Sequence, residues 1–564
     1  MPTITVLKSD LESLSGRKYT LDQLSDALAL VKGELKEHVA ATNEVRIELN
    51  DTNRPDLWCV EGIARHLGKP KAGKAARTKA SSAKSSYRIQ VTKDVRAVRP
   101  FIGACVARGV GVTDTLLTQF IQTQEKLAEL YGRKRQTVSI GLYPLQKIEF
   151  PVSYTTSAPD EASFVALGAD RAMSLREILA KHPKGVAYGH ILAAHSRYPL
   201  LVDSRGEILS FPPIINSQAL GAVAVGDDDL LVEVTGTDQR MVVLAVNIWA
   251  QNLRDRGARV EPVTIEYAWA TPMGRKVVTP KEIAKPVSVP VQLIAKVLGE
   301  TIKPLEAKKL LTGYGHRVAG SAATLKVTPP AHRDDILHPV DVVEDVAIAR
   351  GYNSFAPEMP SQFTVGALSP IERYADRVRE LLVGQGFKET MANILTSRQD
   401  IVDRMGGGRT GEGLVEVDNP MVETFAVLRP NLLASLLRVE AASSKAVYPH
   451  RVFEVGEAAS IDPASDVGCR TEVRAAVLIA HAEAAFSEAH ASLESLAYAL
   501  GVSYRLEPTP HPSFIDGRAG TILLGNRPVG VIGEIAPPVL EAWGIGMPCA
   551  VFDLSLSQLL AFAV

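Results

Sequence analysis

Residues 45–68 read VRIELNDTNRPDLWCVEGIARHLG, and the period of the apolar positions changes within this one stretch. Val45, Ile47 and Leu49 alternate with Arg46 and Glu48, the two-residue period of a half-buried strand. NDTNRPD, residues 50–56, is turn chemistry, with Pro55 fixing one backbone angle. From Leu57 onward the apolar residues return at helical spacing until Gly68. A strand joined so closely to a helix predicts an α+β chain, and the preceding text agrees. A β-rich run, Ile4 to Leu7, precedes DLESLSG, and Leu21, Leu24 and Leu28 recur at helical spacing inside TLDQLSDALALVKGEL. Residues 1–68 therefore read as a small α/β unit of strand, helix, helix, strand and helix.

Working outward, residues 69–86 (KPKAGKAARTKASSAKSS) carry six basic residues and no acid, the composition of a flexible basic linker. Such a run is either a solvated connector or a loop touching RNA phosphates. Over 87–270, PFIGACVARGV, TVSIGLY, LLVEVTG and RVEPVTIEY read as strands, with helices near 113–131, 173–181 and 241–255. This predicts an α+β domain with an antiparallel sheet. Over 277–360, VPVQLIAKVLG and PLEAKKLLTGYG are short helices closed by glycine, followed by the strand LKVTPP, which suggests a helix-turn-helix or winged-helix-like module. Residues 365–564 open with the helix ERYADRVRELLVGQG and are long enough for a further domain.

The bulk numbers fit this multidomain reading. A chain of 564 residues exceeds what one core organises, and 46% hydrophobic with 22% charged residues is an ordinary globular composition. Lys and Arg total 62 against 63 for Asp and Glu, so no global field draws a polyanion and any nucleic-acid contact must be local. Cys59, Cys105, Cys469 and Cys549 are scattered, which argues against a zinc site or a disulfide framework. The run 209–226 holds Pro212, Pro213 and Asn216, wrong for a membrane span, and the start of the chain lacks the order of a secretory signal. A cytoplasmic protein without membrane contact is expected.

The sharpest constellation is RDDILHPVDVVED, residues 333–345. Pro339 suits a first helical turn, and Asp341, Glu344 and Asp345 then fall at i, i+3 and i+4. Three carboxylates that close repel, and a hard divalent cation would compensate them, with Asp335 completing an all-oxygen set suited to Mg2+. The simpler reading is that acids near a helix N-terminus favour the macrodipole. No other cluster assembles a nucleophile, base and orienter. The glycines Gly544 and Gly546 do not form a dinucleotide loop, and His190, His195 and His511 occur singly.

ELNDTNRPDLWCVEGIARHLG, residues 48–68, resembles the N-terminal signature of archaeal/eukaryotic-type phenylalanyl-tRNA synthetase β chains. The resemblance continues in order through GRKRQTVSIGLYPLQKI, YPLLVDSRGEILSFPPIINS, LLVEVTGTD, HRDDILHPVDVVEDVAIARGYNSF and VLRPNLLASLLRV. It implies a β subunit that supports ATP-dependent attachment of L-phenylalanine to tRNA(Phe), within an α2β2 heterotetramer whose α subunit binds ATP and L-phenylalanine. It implies Mg2+ as cofactor, held by Asp335, Asp341, Glu344 and Asp345, and no catalytic residue of the ligation on this chain. It also implies a catalytic-like class II synthetase domain over 365–564. That domain lacks the late arginine such an active site needs for ATP phosphate, since no Lys or Arg follows Arg527. Arg451-Val-Phe453-Glu454 resembles the ATP-binding strand of catalytic subunits without completing it.

In related β chains the domain holding SFPPIINS, here within 87–270, hydrolyses mischarged Tyr-tRNA. The resemblance implies that Asn216 lies in that pocket; Glu233, Thr235, Thr237 and Asp238 match the family's second block of that domain and either line the pocket or form only a strand followed by a turn. The family follows this Asn by a polar stretch ending in Arg, whereas no basic residue lies here between Asn216 and Arg240, which puts editing in question. For NRPDLW a packing role and an RNA contact both stand. The alternative to a working ligase subunit is a synthetase-derived paralogue acting as an RNA-binding or protein-interaction module.

Overall fold

The computed structural model describes residues 2–51, 53–68, 86–407 and 413–563. The basic linker expected over 69–86 falls, but for Ser86, outside the described residues. The chain divides into two compact units, Met1–Glu358 and Met359–Val564.

The first unit begins with an antiparallel sheet in which Glu44–Leu49 lies between Thr3–Leu7 and Gly33–Val39. The strand-to-helix reading of 45–68 is realised: Val45, Ile47 and Leu49 are buried, and Val60–Leu67 forms a helix that buries Ile63 and Leu67. The helix read from Leu21, Leu24 and Leu28 is realised over Leu21–Leu28. Lys32 takes a left-handed φ of 48° and Gly33 opens a strand, because pairing with Glu44–Leu49 binds this segment more firmly than helical propensity does.

A ten-stranded sheet follows, which at one end runs in the order Arg259–Thr271, Phe101–Arg108, Leu230–Gly236 and, at its edge, Val138–Pro144. It is antiparallel save where Tyr87–Val91 runs parallel to both Arg259–Thr271 and Val152–Ser157. Helix Gln239–Asp255 packs on Phe101–Arg108 and Leu230–Gly236, and its run from Val242 to Leu253 is buried throughout. Residues from the first sheet, the first helices and this helix share one core, in which Trp249 meets Phe120 edge-on at 5.4 Å. Residues 1–68 therefore have no separate core of their own. A three-stranded sheet of Val287–Pro290, Thr324–Thr328 and Arg317–Gly320, packed with helices Val291–Leu298, Pro304–Gly313 and Pro339–Arg350, completes the unit.

The second unit is a seven-stranded sheet built on Cys469–Ala480, which pairs antiparallel with His450–Ile461 and Cys549–Ser555. Helices Pro370–Gly384 and Phe486–Leu500 share a core on one side and Leu433–Ala442 enters a second core, which is the two-faced burial of an α+β sandwich. Among the described residues no helix is long and apolar enough to cross a membrane.

Candidate functional site

The acidic segment is the first candidate. Pro339 occupies the first turn of helix Pro339–Arg350, as its sequence predicts. Asp341 turns back on the helix start, where its Oδ2 accepts from the backbone N–H groups of Leu337 and His338, both at 2.7 Å. Glu344 faces outward and pairs with Lys32. Asp345, 100° further round the helix, points inward with its side chain 4% exposed. Its Oδ2 accepts from Arg333 Nη1 and His316 Nε2, each at 2.6 Å, and its Oδ1 from Arg333 Nη2 at 3.2 Å. The same guanidinium reaches Asp335 through Nε and Nη2, so Arg333 forks between two carboxylates. Arg54, bidentate to Asp56 at 2.8 and 2.9 Å, lies 3.8 Å from Asp335 and donates to His66. Burial opposes ionisation of Asp345 and Asp56, yet the guanidinium groups of Arg333 and Arg54 hold both carboxyls well below the usual range.

All four oxygens of Asp335 and Asp345 are thus taken by hydrogen bonds from Arg333 and His316. Among the described residues no group of three or more His, Cys, Asp or Glu side chains is placed to hold a metal ion. As they stand, Asp335, Asp341, Glu344 and Asp345 do not fit Mg2+. The reason is angular: i, i+3 and i+4 share a helix face only broadly, and here one member caps, one faces solvent and one faces a buried arginine. NRPDLW, open at the sequence between packing and RNA, supplies the buried Arg54–Asp56 pair.

The second candidate is a cavity of about 300 Å³ in the first unit. Strands Leu230–Gly236 and Val138–Pro144 form its floor, residues 210–216 one wall and helix Asp114–Lys126 another. Phe120, Leu142, Phe211 and Ile214 make it largely apolar. Asn216 and Glu233, both expected from the sequence, line it. Glu233 is 2% exposed; its Oε2 accepts from the Tyr143 hydroxyl at 2.9 Å, while its Oε1 is buried without a partner. Burial pushes its carboxyl up to about 7, against the pull of the Tyr143 hydrogen bond and the Arg99 guanidinium. Gly141 is required here, since a Cβ would lie 2.3 Å from the Tyr143 hydroxyl and 2.5 Å from Glu233 Oε2.

Thr235 stands one layer behind the wall. It is fully buried, with its Oγ1 accepting from Arg99 Nε at 3.1 Å and lying 2.9 Å from Ser139 Oγ. Thr237 and Asp238 do not line the cavity. Asp238 instead caps helix Gln239–Asp255, accepting from the Met241 N–H at 2.9 Å, and the Thr237 N–H bonds the Thr137 carbonyl.

The cation missing from 217–239 arrives from elsewhere. Helix Asp114–Lys126 widens into a π-helical turn, Leu127–Tyr131, and Arg133, Lys134 and Arg135 then adopt left-handed φ values of 49°, 53° and 66°. Each such residue costs about 1–2 kcal/mol. The reversal brings Arg135 to the cavity, where Nη1 donates to the carbonyls of Pro213 at 3.2 Å and Ile214 at 3.0 Å, and the guanidinium lies 4.3 Å over the Tyr188 ring. Arg135 Nε remains buried without a partner. Lys184 lines the same opening. The run GRKRQ was visible in the sequence, but nothing local ties it to residues some eighty positions on.

In the second unit Glu454 is buried against Arg429, 2.7 Å from its Nη1, and Arg451 lies 5.1 Å over the Phe387 ring. This strand is engaged in internal contacts.

Comparison with known proteins adds the family. Residues 356–556 match the phenylalanyl tRNA synthetase beta chain CLM domain, and residues 287–352, which hold the acidic segment, match the tRNA synthetase B5 domain. The chain is 37% identical to the phenylalanine–tRNA ligase beta subunit of Borrelia turicatae, over 99% of its own length and 100% of that protein. It is equally 37% identical to the beta subunit of Pyrococcus abyssi, again over 99% and 100%. Its fold matches an N-terminal fragment of the phenylalanyl-tRNA synthetase beta-subunit from Pyrococcus horikoshii with a TM-score of 0.58 and 35% identity, covering 62% of this chain and all of the fragment.

Proposed function

The chain belongs to the phenylalanine–tRNA ligase β-subunit family, an aminoacyl-tRNA synthetase subunit, and from that premise we propose that its cavity hydrolyses tRNA mischarged with tyrosine. We further infer that it works in the cytoplasm as part of an α2β2 heterotetramer, with ATP and L-phenylalanine bound by the α subunit and tRNA(Phe) reaching both. Family text running through 99% of the chain supports this over a paralogue retained for binding alone.

One observation carries the hydrolytic reading. The apolar cavity is lined by Glu233 and Arg135, and each of these residues keeps a buried polar atom without a partner, the acceptor Oε1 and the donor Nε. A tyrosyl side chain suits this pair: its phenolic hydroxyl donates to Glu233 while an ester oxygen accepts from Arg135. Phenylalanine would leave Glu233 Oε1 buried and unpaired, a penalty of about 1–3 kcal/mol. Such a site rejects the substrate lacking a hydroxyl far better than an apolar ligation pocket rejects the one bearing it. Among the described residues no His or Cys lines the cavity. Water attacks the ester carbon, the bond to the tRNA oxygen breaks as one water proton passes to that oxygen, and tyrosine leaves as a carboxylate with the other proton released to solvent, while Arg135 steadies negative charge on the carbonyl oxygen.

The Mg2+ that the family resemblance implies would supply charge neutralisation for phosphate chemistry where bound. Asp335 and Asp345 of this chain act instead as the fixed anions of a buried arginine lattice, Asp341 caps the helix start, Glu344 pairs with Lys32, and no step is routed through them. The test is deacylation of Tyr-tRNA(Phe) by the αβ complex. Glu233→Ala and Arg135→Met should each slow it strongly, Arg135→Met by about 10²-fold, while Phe charging persists; unchanged deacylation in both variants would remove the reading.

A further inference from the structure

Arg99 is a buried charge that the hydrolytic mechanism leaves without a role. It stands between Lys93–Ala97 and Phe101–Arg108 and is 1% exposed. Its N–H donates to the Val95 carbonyl at 2.9 Å and its carbonyl accepts from the Tyr154 hydroxyl at 2.8 Å. The guanidinium donates to Thr235 Oγ1 at 3.1 Å, the Thr235 carbonyl at 2.8 Å, Ser139 Oγ at 3.1 Å and the Gln136 carbonyl at 3.0 Å. All four of these acceptors are neutral. Arg54, Arg333 and Arg429, similarly buried, meet carboxylates at 2.8, 2.6 and 2.7 Å. A clamp on neutral oxygens needs no charge, and desolvating a guanidinium is costly unless an anion answers it.

The anion that answers it is Glu233. Thr235 pairs with Ser139, and Glu233 with Gly141, across the same two strands. Residues two apart on a strand share a face, so the guanidinium grips the strand pair one step along from Glu233. Ser139, Gly141 and Glu233 all line the cavity. Burial draws the Arg99 guanidinium down to about 10, against the pull of Tyr154 and Glu233, and the Arg99 charge in turn opposes the burial that raises Glu233 to about 7. The other groups around Glu233 are the Tyr143 hydroxyl on its Oε2 and, in the cavity lining, Arg135, Lys184 and Glu125, the last two paired with each other.

We propose that Arg99 is a positioning residue for substrate choice: without lining the cavity, it clamps Thr235 and Ser139, sets its charge beside them, and so holds the Glu233 carboxylate as the acceptor of a phenolic hydroxyl. This rests on the hydrolytic reading of the cavity and names what sets its preference for tyrosine. A hydrogen bond to an ionised acceptor is roughly twice as strong as one to a neutral acceptor, so the preference strengthens as Glu233 ionises.

In the test the αβ complex is given Tyr-tRNA(Phe) and Phe-tRNA(Phe) in parallel. The ratio of the two deacylation rates is followed from about pH 5 to about pH 9, which cancels pH effects common to both esters. In the wild type the ratio should rise through about pH 7, where Glu233 ionises. Arg99→Gln, neutral but still able to donate hydrogen bonds, should move that rise up by about one pH unit, the scale of one lost opposite charge. At the wild-type midpoint the ionised fraction then falls from about one half to about one tenth, a roughly fivefold loss of the pH-dependent gain. Arg99→Lys should bring the rise back toward its wild-type position. A purely structural clamp would lower both rates and leave the midpoint in place, so an unmoved midpoint in Arg99→Gln overturns the proposal. If Arg99→Gln alone does not fold, adding Glu233→Gln removes the second charge and should recover the circular dichroism of the folded chain; a double variant that stays unfolded also overturns it. The two readings fail separately. A Glu233→Ala complex as active as wild type on Tyr-tRNA(Phe) removes the hydrolytic reading, whereas a slow Glu233→Ala complex with an unmoved Arg99→Gln midpoint removes only the role of Arg99.

Discussion

Replacing Arg333 by Met removes the hinge of the buried charge lattice and tests whether arginine, rather than a cation from solution, holds these carboxylates. The Arg333 side chain is 1% exposed and donates to Asp335 and Asp345, themselves 7% and 4% exposed. In Arg333→Met, Asp345 keeps His316 alone, and Asp335 keeps Arg54 alone at 3.8 Å. Stripping one partner from a buried ion pair costs about 3–5 kcal/mol, because an uncompensated charge stays in a low-dielectric interior. The unit 1–358 contains the buried Trp58, Trp249 and Trp269 and the other unit Trp543, so urea unfolding followed by tryptophan fluorescence in a Trp543→Phe background reads the first unit. The midpoint should fall by on the order of 1 M. Adding Asp345→Leu to Arg333→Met should recover much of the loss, since apolar replacement of a buried pair is often neutral or better. A loss below about 1 kcal/mol, far under the buried-pair range, or a wild-type midpoint raised strongly by millimolar Mg2+, would refute the reasoning.

Other expectations follow from the same geometry. Burial raises the Glu233 carboxyl from 4.5 to about 7, so the folded chain keeps a proton that the unfolded chain has released. That contribution, about 3 kcal/mol, is fully present below pH 4.5 and lost as pH rises through about 7. Subtracting the pH–stability curve of Glu233→Gln from the wild type should reveal a fall of this size across that window, and a flat difference would contradict the burial argument. Arg135→Met should slow Tyr-tRNA deacylation by about 10²-fold, the scale of one lost donor at a developing oxyanion, with Phe charging as the internal control. Gly141→Ala forces a Cβ against Tyr143 and Glu233 and should cost about 1–3 kcal/mol, measurable as a lowered melting temperature together with lost deacylation. Chelating divalent metal should leave the melting temperature of the isolated chain unchanged; a clear drop would restore a metal to the acidic segment.

The sequence by itself determined the α+β elements and the family. Alternation over 45–49, the helical return over 57–68 and the Pro339 helix start are local patterns, legible because side-chain period and capping act over a few residues. Family text quoted along the chain carried the identity, and Asn216 and Glu233 were found as wall residues from that text. Where a helix yields to a strand, as at Lys32 and Gly33, strand pairing decided and no local signal announced it. The fate of the acidic segment was also a tertiary matter: spacing brought Asp341, Glu344 and Asp345 close along a helix, yet which of them meets Arg333 depends on the direction of the core. The cation of the cavity was absent from its expected neighbourhood because Arg135 reaches the carbonyls of Pro213 and Ile214 across 78 and 79 residues of chain. Local rules fix the period and the caps of each element; charge partners and cavity walls are chosen by packing between distant segments, where burial makes each unpaired group costly enough to select its partner.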